Sequence, residues 1–217
     1  MPRLAIVGAG GHGREVLDVV EALIARGQDY EVVGFVADHV DAEVLARRRA
    51  AHLGSVDDLV SGRLGAHDDD VSLVLAVGDP ATRADLERRI GPCGWDWAAP
   101  LVHPLASLGS DVELGAGTVV AAGARITTNV RVGRHVQVNV NAVISHDCRV
   151  GDHATVSPGV LVNGAVTLGE GVLLGTGAVV TPGRVVGDWA VIGAGAVVVA
   201  DVPASVTAVG VPARWTS

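Results

Sequence analysis

The stretch that decides the fold runs from Val102 to Val198, and it is read six residues at a time. Every sixth position is aliphatic: Val102, Leu108, Leu114, Val120, Ile126, Val132, Val138, Ile144, Val150, Val156, Val162, Leu168, Leu174, Val180, Val186, Ile192, Val198. These 17 consecutive hits, without an insertion, exceed what chance allows in a chain that is 49% hydrophobic. A second series lies four residues after each stop and is small or β-branched, as at Ala124, Val130, Val136, Ala142, Cys148, Ala154 and Val160, with Arg184 as its one misfit. Glycine often follows the aliphatic stop, as in Val132-Gly133, Val150-Gly151 and Leu174-Gly175.

A helix needs apolar residues near every 3.6 positions, so a period of six excludes it. The period is that of a parallel β-helix in which each hexapeptide makes one short strand and one corner. Three hexapeptides close a triangular coil, so residues 18 apart stack at roughly the 4.8 Å spacing of paired strands. Each coil buries its apolar edge only against its neighbours, which makes the stack the stable unit.

Residues 3–98 follow another rhythm. Leu4–Val7 is a short apolar run of the buried parallel-strand type. Gly8-Ala9-Gly10-Gly11-His12-Gly13 follows, then a helical pattern with Val16, Leu17, Val20, Leu23 and Ile24 on one face. Further strands are expected over Glu31–Val36 and Val71–Val77, with a charged helix over Ala81–Ile90. His67-Asp68-Asp69-Asp70 reads as a solvated loop. The chain therefore divides into a βαβ half-Rossmann domain, residues 1–98, and a β-helix domain with a short tail, residues 99–217. Pro100 and Pro104 mark the junction, where His103 reads as a cap, and no closing helix is expected after Asp201-Val202-Pro203.

Composition bounds the function. The net charge of -8 argues against nucleic acid, which needs a basic face. Two cysteines and no signal-like or membrane-length apolar segment point to a soluble, cytoplasmic protein. Cys148 falls in the inward series and reads as packing.

Gly8, Gly10 and Gly13 form G-x-G-x-x-G between a strand and a helix, the setting of a phosphate-binding turn. A nicotinamide cofactor, a nucleotide or nucleotide-sugar, and a purely structural turn are all compatible with it. The small domain lacks a second mononucleotide half, which favours the nucleotide or nucleotide-sugar.

Acid–base candidates within the repeat are His135, His146 and His153. His135 and His153 are 18 apart and stack on one corner, whereas His146 lies at another position among Asn139, Asn141, Ser145 and Asp147. Asp147 is placed to orient the imidazole and stabilise its protonated form. Gly164 lies 18 residues after His146, one coil above it, where its N–H could meet a developing oxyanion. A base and an oxyanion donor without a protein nucleophile suit direct acyl transfer from a thioester.

The segment Asn139-Val140-Asn141-Ala142-Val143-Ile144-Ser145-His146-Asp147-Cys148 resembles the active-site coil of left-handed β-helix acyltransferases. It is most similar to the bacterial nucleotide-amino-sugar N-acetyltransferases and the related sialic acid O-acetyltransferases. The Gly8–Gly13 turn, Gly34-Phe35-Val36-Ala37-Asp38 and Val77-Gly78-Asp79 fit the same group. The resemblance implies the left-handed sense, a homotrimer, and acetyl-CoA as co-substrate in a groove between adjacent prisms. It implies a nucleotide-linked amino sugar held near Gly10, Gly11, His12 and Asp38. His146 would be the general base, Asp147 its orienting partner, Asn139 a substrate or histidine contact, and the Gly164 amide the partner of the acetyl carbonyl. Gly175, Ala194 and Arg214 would touch CoA, and no metal is implied. Ser145 and Thr155 depart from residues common in such proteins, which leaves acceptor identity open. Arg131 and Arg149, 18 apart, read as a solvated edge or a phosphate contact.

Two rival readings fit these residues less well. A trimeric β-helix zinc hydratase needs three converging histidines, and His146 and His153 are seven apart, the wrong spacing for one strand face. A non-enzymatic solenoid would show threonine ladders on a flat face and would not need the first domain.

Overall fold

The 18-residue step is the vertical repeat of the second domain. In the computed structural model, which describes residues 1–64 and 70–216, Arg125 pairs with Val143, Val143 with Leu161 and Leu161 with Val179, all in parallel. The same register builds three parallel sheets of six, five and seven strands, one per face of a triangular prism. The aliphatic stops from Val120 to Val198 are the core, none more than 6% exposed. Each such side chain removed from water contributes about 1.5–3 kcal/mol. The first coil is open below, and Leu108 is 41% exposed there.

One residue in every six, from Asp111 to Gly195, sits at positive φ, and these are the corners. The left-handed conformation costs ordinary residues about 1–2 kcal/mol, least for Gly, Asn and Asp. Those three types take eleven of the fifteen corners; His135, His153, Ala165 and Trp189 hold the rest. The glycines that follow the aliphatic stops have a different reason. An ideal Cβ at Gly175 would lie 2.6 Å from Ala194 N in the coil above, and one at Gly151 equally close to Glu170 N. Arg184 turns outward, its Nη1 3.5 Å from Asp201 Oδ1, where the chain leaves the prism.

The first domain holds more than the three expected strands. Strands β1 (Arg3–Val7), β2 (Glu31–Val36), β3 (His52–Gly54), β4 (Val71–Leu75) and β5 (Asp96–Trp97) form one parallel sheet in the order β3-β2-β1-β4-β5. Helices α1 (Gly11–Ala25), α2 (Ala42–Arg47), α3 (Val56–Val60) and α4 (Pro80–Ile90) connect them. The strand and two helices missed after β2 are short, and α3 is set by local polar chemistry, a Ser55–Asp58 capping box, which leaves little periodicity to read. The expected α1 face is buried at Val16, Leu17, Val20 and Leu23, while Ile24 is 41% exposed. His67, Asp68 and Asp69 of the expected loop lie outside the described residues. Strand order reverses beside β1, so the turn after β1 opens at the sheet's switch point, the usual ligand crevice of such sheets.

Polar side chains join the two domains. Arg83 on α4 is fully buried and donates from Nε to His135 O (2.7 Å) and from Nη1 to Val77 O (2.5 Å). Its Nη2 donates to His153 O, Ala154 O and Thr155 Oγ1. Thr155 Oγ1 in turn donates to Gly78 O (2.8 Å), and Gln137 Nε2 donates to Leu75 O (3.0 Å). No helix among the described residues is long and apolar enough to cross a membrane.

Candidate active site

His146 sits on the corner after strand 143–144, and the coil above it has no side chain at Gly164. A Cβ built there would overlap Cε1 and Nε2 of the imidazole and lie 3.0 Å from Nδ1. The expected stacking of Gly164 over His146 is thus a ring lying flush against backbone. The Ala165 N–H donates to His146 O (2.8 Å), which ties the two coils together at this corner. The Gly164 carbonyl accepts from Gly183, whereas its N–H has no acceptor among the described residues.

Asp147 Oδ2 lies 2.7 Å from His146 Nδ1. That bond leaves Nε2 as the imidazole nitrogen able to take a proton. The Asn129 side-chain amide, one coil below, donates to Asp147 Oδ1. The His146 bond and then the Asn129 bond hold the Asp147 carboxyl below its ordinary range, so it is ionised beside the ring. Both groups are open to solvent, His146 60% and Asp147 51% exposed. Cys148 lies inside the prism, 1% exposed, and burial pushes its thiol up, so no thiolate competes as nucleophile.

At the other candidate positions, the structure separates open surface from packing. Gly8 and Gly13 are structural: a Cβ on Gly13 would overlap Gly8 O, and one on Gly8 would lie 2.7 Å from Ala76 O. Gly10 and Gly11, at the start of α1, have nothing within 4 Å of a built Cβ. They present open backbone at a helix N-terminus, where N–H groups face outward. His12 bridges the domains, with Nδ1 3.1 Å from Glu15 Oε2 and Nε2 2.9 Å from Gln137 Oε1. It lines a cavity of about 170 Å³ with His103, Gln137 and Asn139. His103 Nδ1 accepts from the Leu105 N–H at 3.0 Å, the expected cap. Asn139 donates to Val156 O (3.2 Å), as Asn163 does to Val180 O (2.8 Å), so it also staples coils. No hydrogen bond joins Asn139 to His146 among the described residues. Asp38 accepts from the Val56 N–H at 3.0 Å, at the start of α3. Ala194 and Arg214 are exposed near the prism end, and Gly175 packs beneath Ala194. Arg131 is paired with Asp111 and Glu113. Among the described residues, no three His, Cys, Asp or Glu side chains converge as a metal site.

The PglD N-terminal domain model matches residues 3–90, and the bacterial transferase hexapeptide model matches residues 129–164 and 165–200. PerB from Caulobacter crescentus, solved with CoA and GDP-perosamine, is 33% identical over 100% of this chain and 98% of its own, with a TM-score of 0.84. The chain belongs to the hexapeptide-repeat acyltransferases. The acetyltransferase domain of PglB from Neisseria gonorrhoeae FA1090, solved with acetyl coenzyme A, is 31% identical over 99% of this chain and 98% of its own, at a TM-score of 0.87. A variant of perosamine N-acetyltransferase from C. crescentus is 32% identical over 100% and 98%, at 0.84. Among curated protein sequences none matches significantly.

This acyltransferase carries polar residues that the sequence reading did not place. The stacked His135 and His153, which the repeat offers as acid–base candidates, are buried at the domain interface, 0% and 3% exposed. Their rings stack at 5.5 Å, and their Nε2 atoms lie 3.3 and 2.8 Å from the Glu87 carboxylate. Burial drives the His135 imidazole down to about 4 and His153 down as well. Thr155 is likewise spent on the interface, which removes it from contact with an acceptor. A domain contact made from α4, over 50 residues away, leaves no mark in the hexapeptide period. Asn129 was also missed, although it stands 18 residues before Asp147 and the same step would have found it.

Proposed function

We propose that this acyltransferase moves an acetyl group from acetyl-CoA to the amine of a nucleotide-linked amino sugar. The observation that carries the reading is the corner itself: an imidazole held at Nδ1 by an ionised carboxylate, flush beneath a glycine whose N–H is unspent. His146 Nε2 takes a proton from the acceptor amine as its nitrogen attacks the thioester carbonyl. Asp147 stabilises the imidazolium that forms. The Gly164 N–H meets the oxygen that gains charge. The C–S bond then breaks, and the thiolate leaves with the proton carried by His146. The reading takes support from relatives solved with CoA and GDP-perosamine and with acetyl coenzyme A.

The acceptor is assigned to the first domain, with its phosphates at the Gly10–Gly11 backbone and its sugar towards His12 and Asn139. That cavity and His146 lie on different corners of one prism, so the reaction needs a second copy to bring them together. A face for it exists on the sheet that carries His146. Its outward residues Val143, Leu161, Val179 and Val197 form an apolar stripe, with Leu161 44% exposed. A homotrimer packed through this stripe sets the pocket of one copy against His146 of the next, with CoA running up the cleft past Gly175 and Ala194 to Arg214.

The test is thiol release over a panel of nucleotide-linked amino sugars and sialic acid. Turnover is expected with an amino sugar, and His146→Ala should cut it by about 10²–10⁴. Full activity in a folded His146→Ala variant, or turnover with sialic acid alone, overturns the reading.

A further inference from the structure

We propose that Asn129 is a positioning residue for catalysis, the third member of an Asn129–Asp147–His146 relay climbing one corner of the prism. The inference rests on the assignment of His146 as the base.

Asp147 has two carboxylate oxygens, and among the described residues each has one partner: Oδ2 meets His146 Nδ1, and Oδ1 receives the Asn129 amide. At this corner Asp147 is 51% and His146 60% exposed. A carboxylate held in water by one hydrogen bond turns about its Cβ–Cγ bond, since that torsion is broad. The second bond, from the opposite side, fixes the carboxylate plane and with it the ring plane that lies against Gly164. Asn129 cannot make this bond by accident of rotamer alone, because its own place is fixed. It is a corner residue at φ 57°, its N–H donating to Ser110 O at 3.1 Å, and its position is stacked directly beneath Asp147. Corner geometry by itself would be met by glycine, which holds seven corners of the prism. What glycine lacks is the donor.

The experiment compares Asn129→Gly and Asn129→Asp with wild type. Glycine accepts the positive φ and deletes only the donor; aspartate keeps the shape and sets a second negative charge against Asp147. In Asn129→Gly the turnover number should fall about ten-fold with KM for both substrates within two-fold, the mark of lost orientation rather than lost binding. Asn129→Asp, which has no donor for Asp147 Oδ1, should lose at least as much turnover. A merely structural corner residue would not lower the turnover number while both KM values hold. In a His146→Ala background, Asn129→Gly should change nothing further. If His146→Ala lowers turnover while Asn129→Gly, still folded, turns over at the wild-type rate, the relay is refuted and the base assignment stands. If His146→Ala itself leaves turnover intact, the base assignment fails, and the relay with it.

Discussion

Gly164→Ala isolates the contact on which the mechanism turns. The backbone at Gly164 is outside the left-handed region, so alanine brings no conformational strain. Its methyl group, however, would overlap Cε1 and Nε2 of His146 and stand 3.0 Å from Nδ1. Ordinary carbon contacts lie at about 3.5–4.0 Å, so the ring must retreat by roughly an ångström. Because the imidazole is 60% exposed, it can swing into solvent at a cost of about 0.5–1.5 kcal/mol. Stability should therefore change little. Activity should not survive as well, since a displacement of about 1 Å from productive geometry costs about 10² in rate. The Gly164 N–H remains in the variant, so the loss would report ring placement and not the missing oxyanion donor. Thermal unfolding and thiol-release kinetics on the same preparation make the comparison. A variant that melts with wild type and turns over within three-fold of it would show that His146 does not work from this position.

The remaining predictions concern the joint between domains and the glycine turn. Arg83→Met leaves the carbonyls of Val77, His135 and His153 without their donor in a largely buried interface; at about 1–3 kcal/mol for each unmet group the loss should reach about 3–5 kcal/mol. Urea unfolding followed by tryptophan fluorescence should show an earlier transition, with Trp97 at the interface as reporter; an unchanged midpoint would contradict the role. Acid should loosen the same joint. His135 and His153 are held neutral by burial, with Glu87 and Arg83 facing them from α4 and Arg134 and Asp152 beside them on the prism. Their folded values lie below the ordinary 6.5, so this contribution is full above about pH 6.5 and lost as pH falls from there toward 4. Replacing both with asparagine, which tolerates the positive φ, should flatten stability across that window, and an unaltered slope would assign it elsewhere. Finally, Gly13→Ala should destabilise the first domain through its overlap with Gly8 O, while Gly10→Ala and Gly11→Ala fold normally. Weaker nucleotide-sugar binding by the latter pair in calorimetry would place the ligand on that backbone.

Much of the second domain was legible because a period of six with an 18-residue step is a complete geometric instruction. Counting from His146 reached Gly164, and the structure stacks them. Counting down from Asp147 would have reached Asn129. The first domain was less legible. β3 has three residues and β5 two, too few for any period, and α3 is defined by a cap rather than by an apolar face. His135 and His153 show the limit clearly. Their stacking followed from the step, but their burial under Glu87 depended on a helix that the repeat knows nothing about.

By itself, then, the order of residues determined the prism, its corners and the column that places His146 under Gly164, because each of these depends on contacts at a constant separation along the chain. The docking of the first domain through Arg83, Gln137 and Thr155, and the burial of two histidines beneath it, were decided only in three dimensions. Those hydrogen bonds join residues 52 to 125 apart with no shared period, so they arise from the fit of two finished surfaces and have no image in a local pattern.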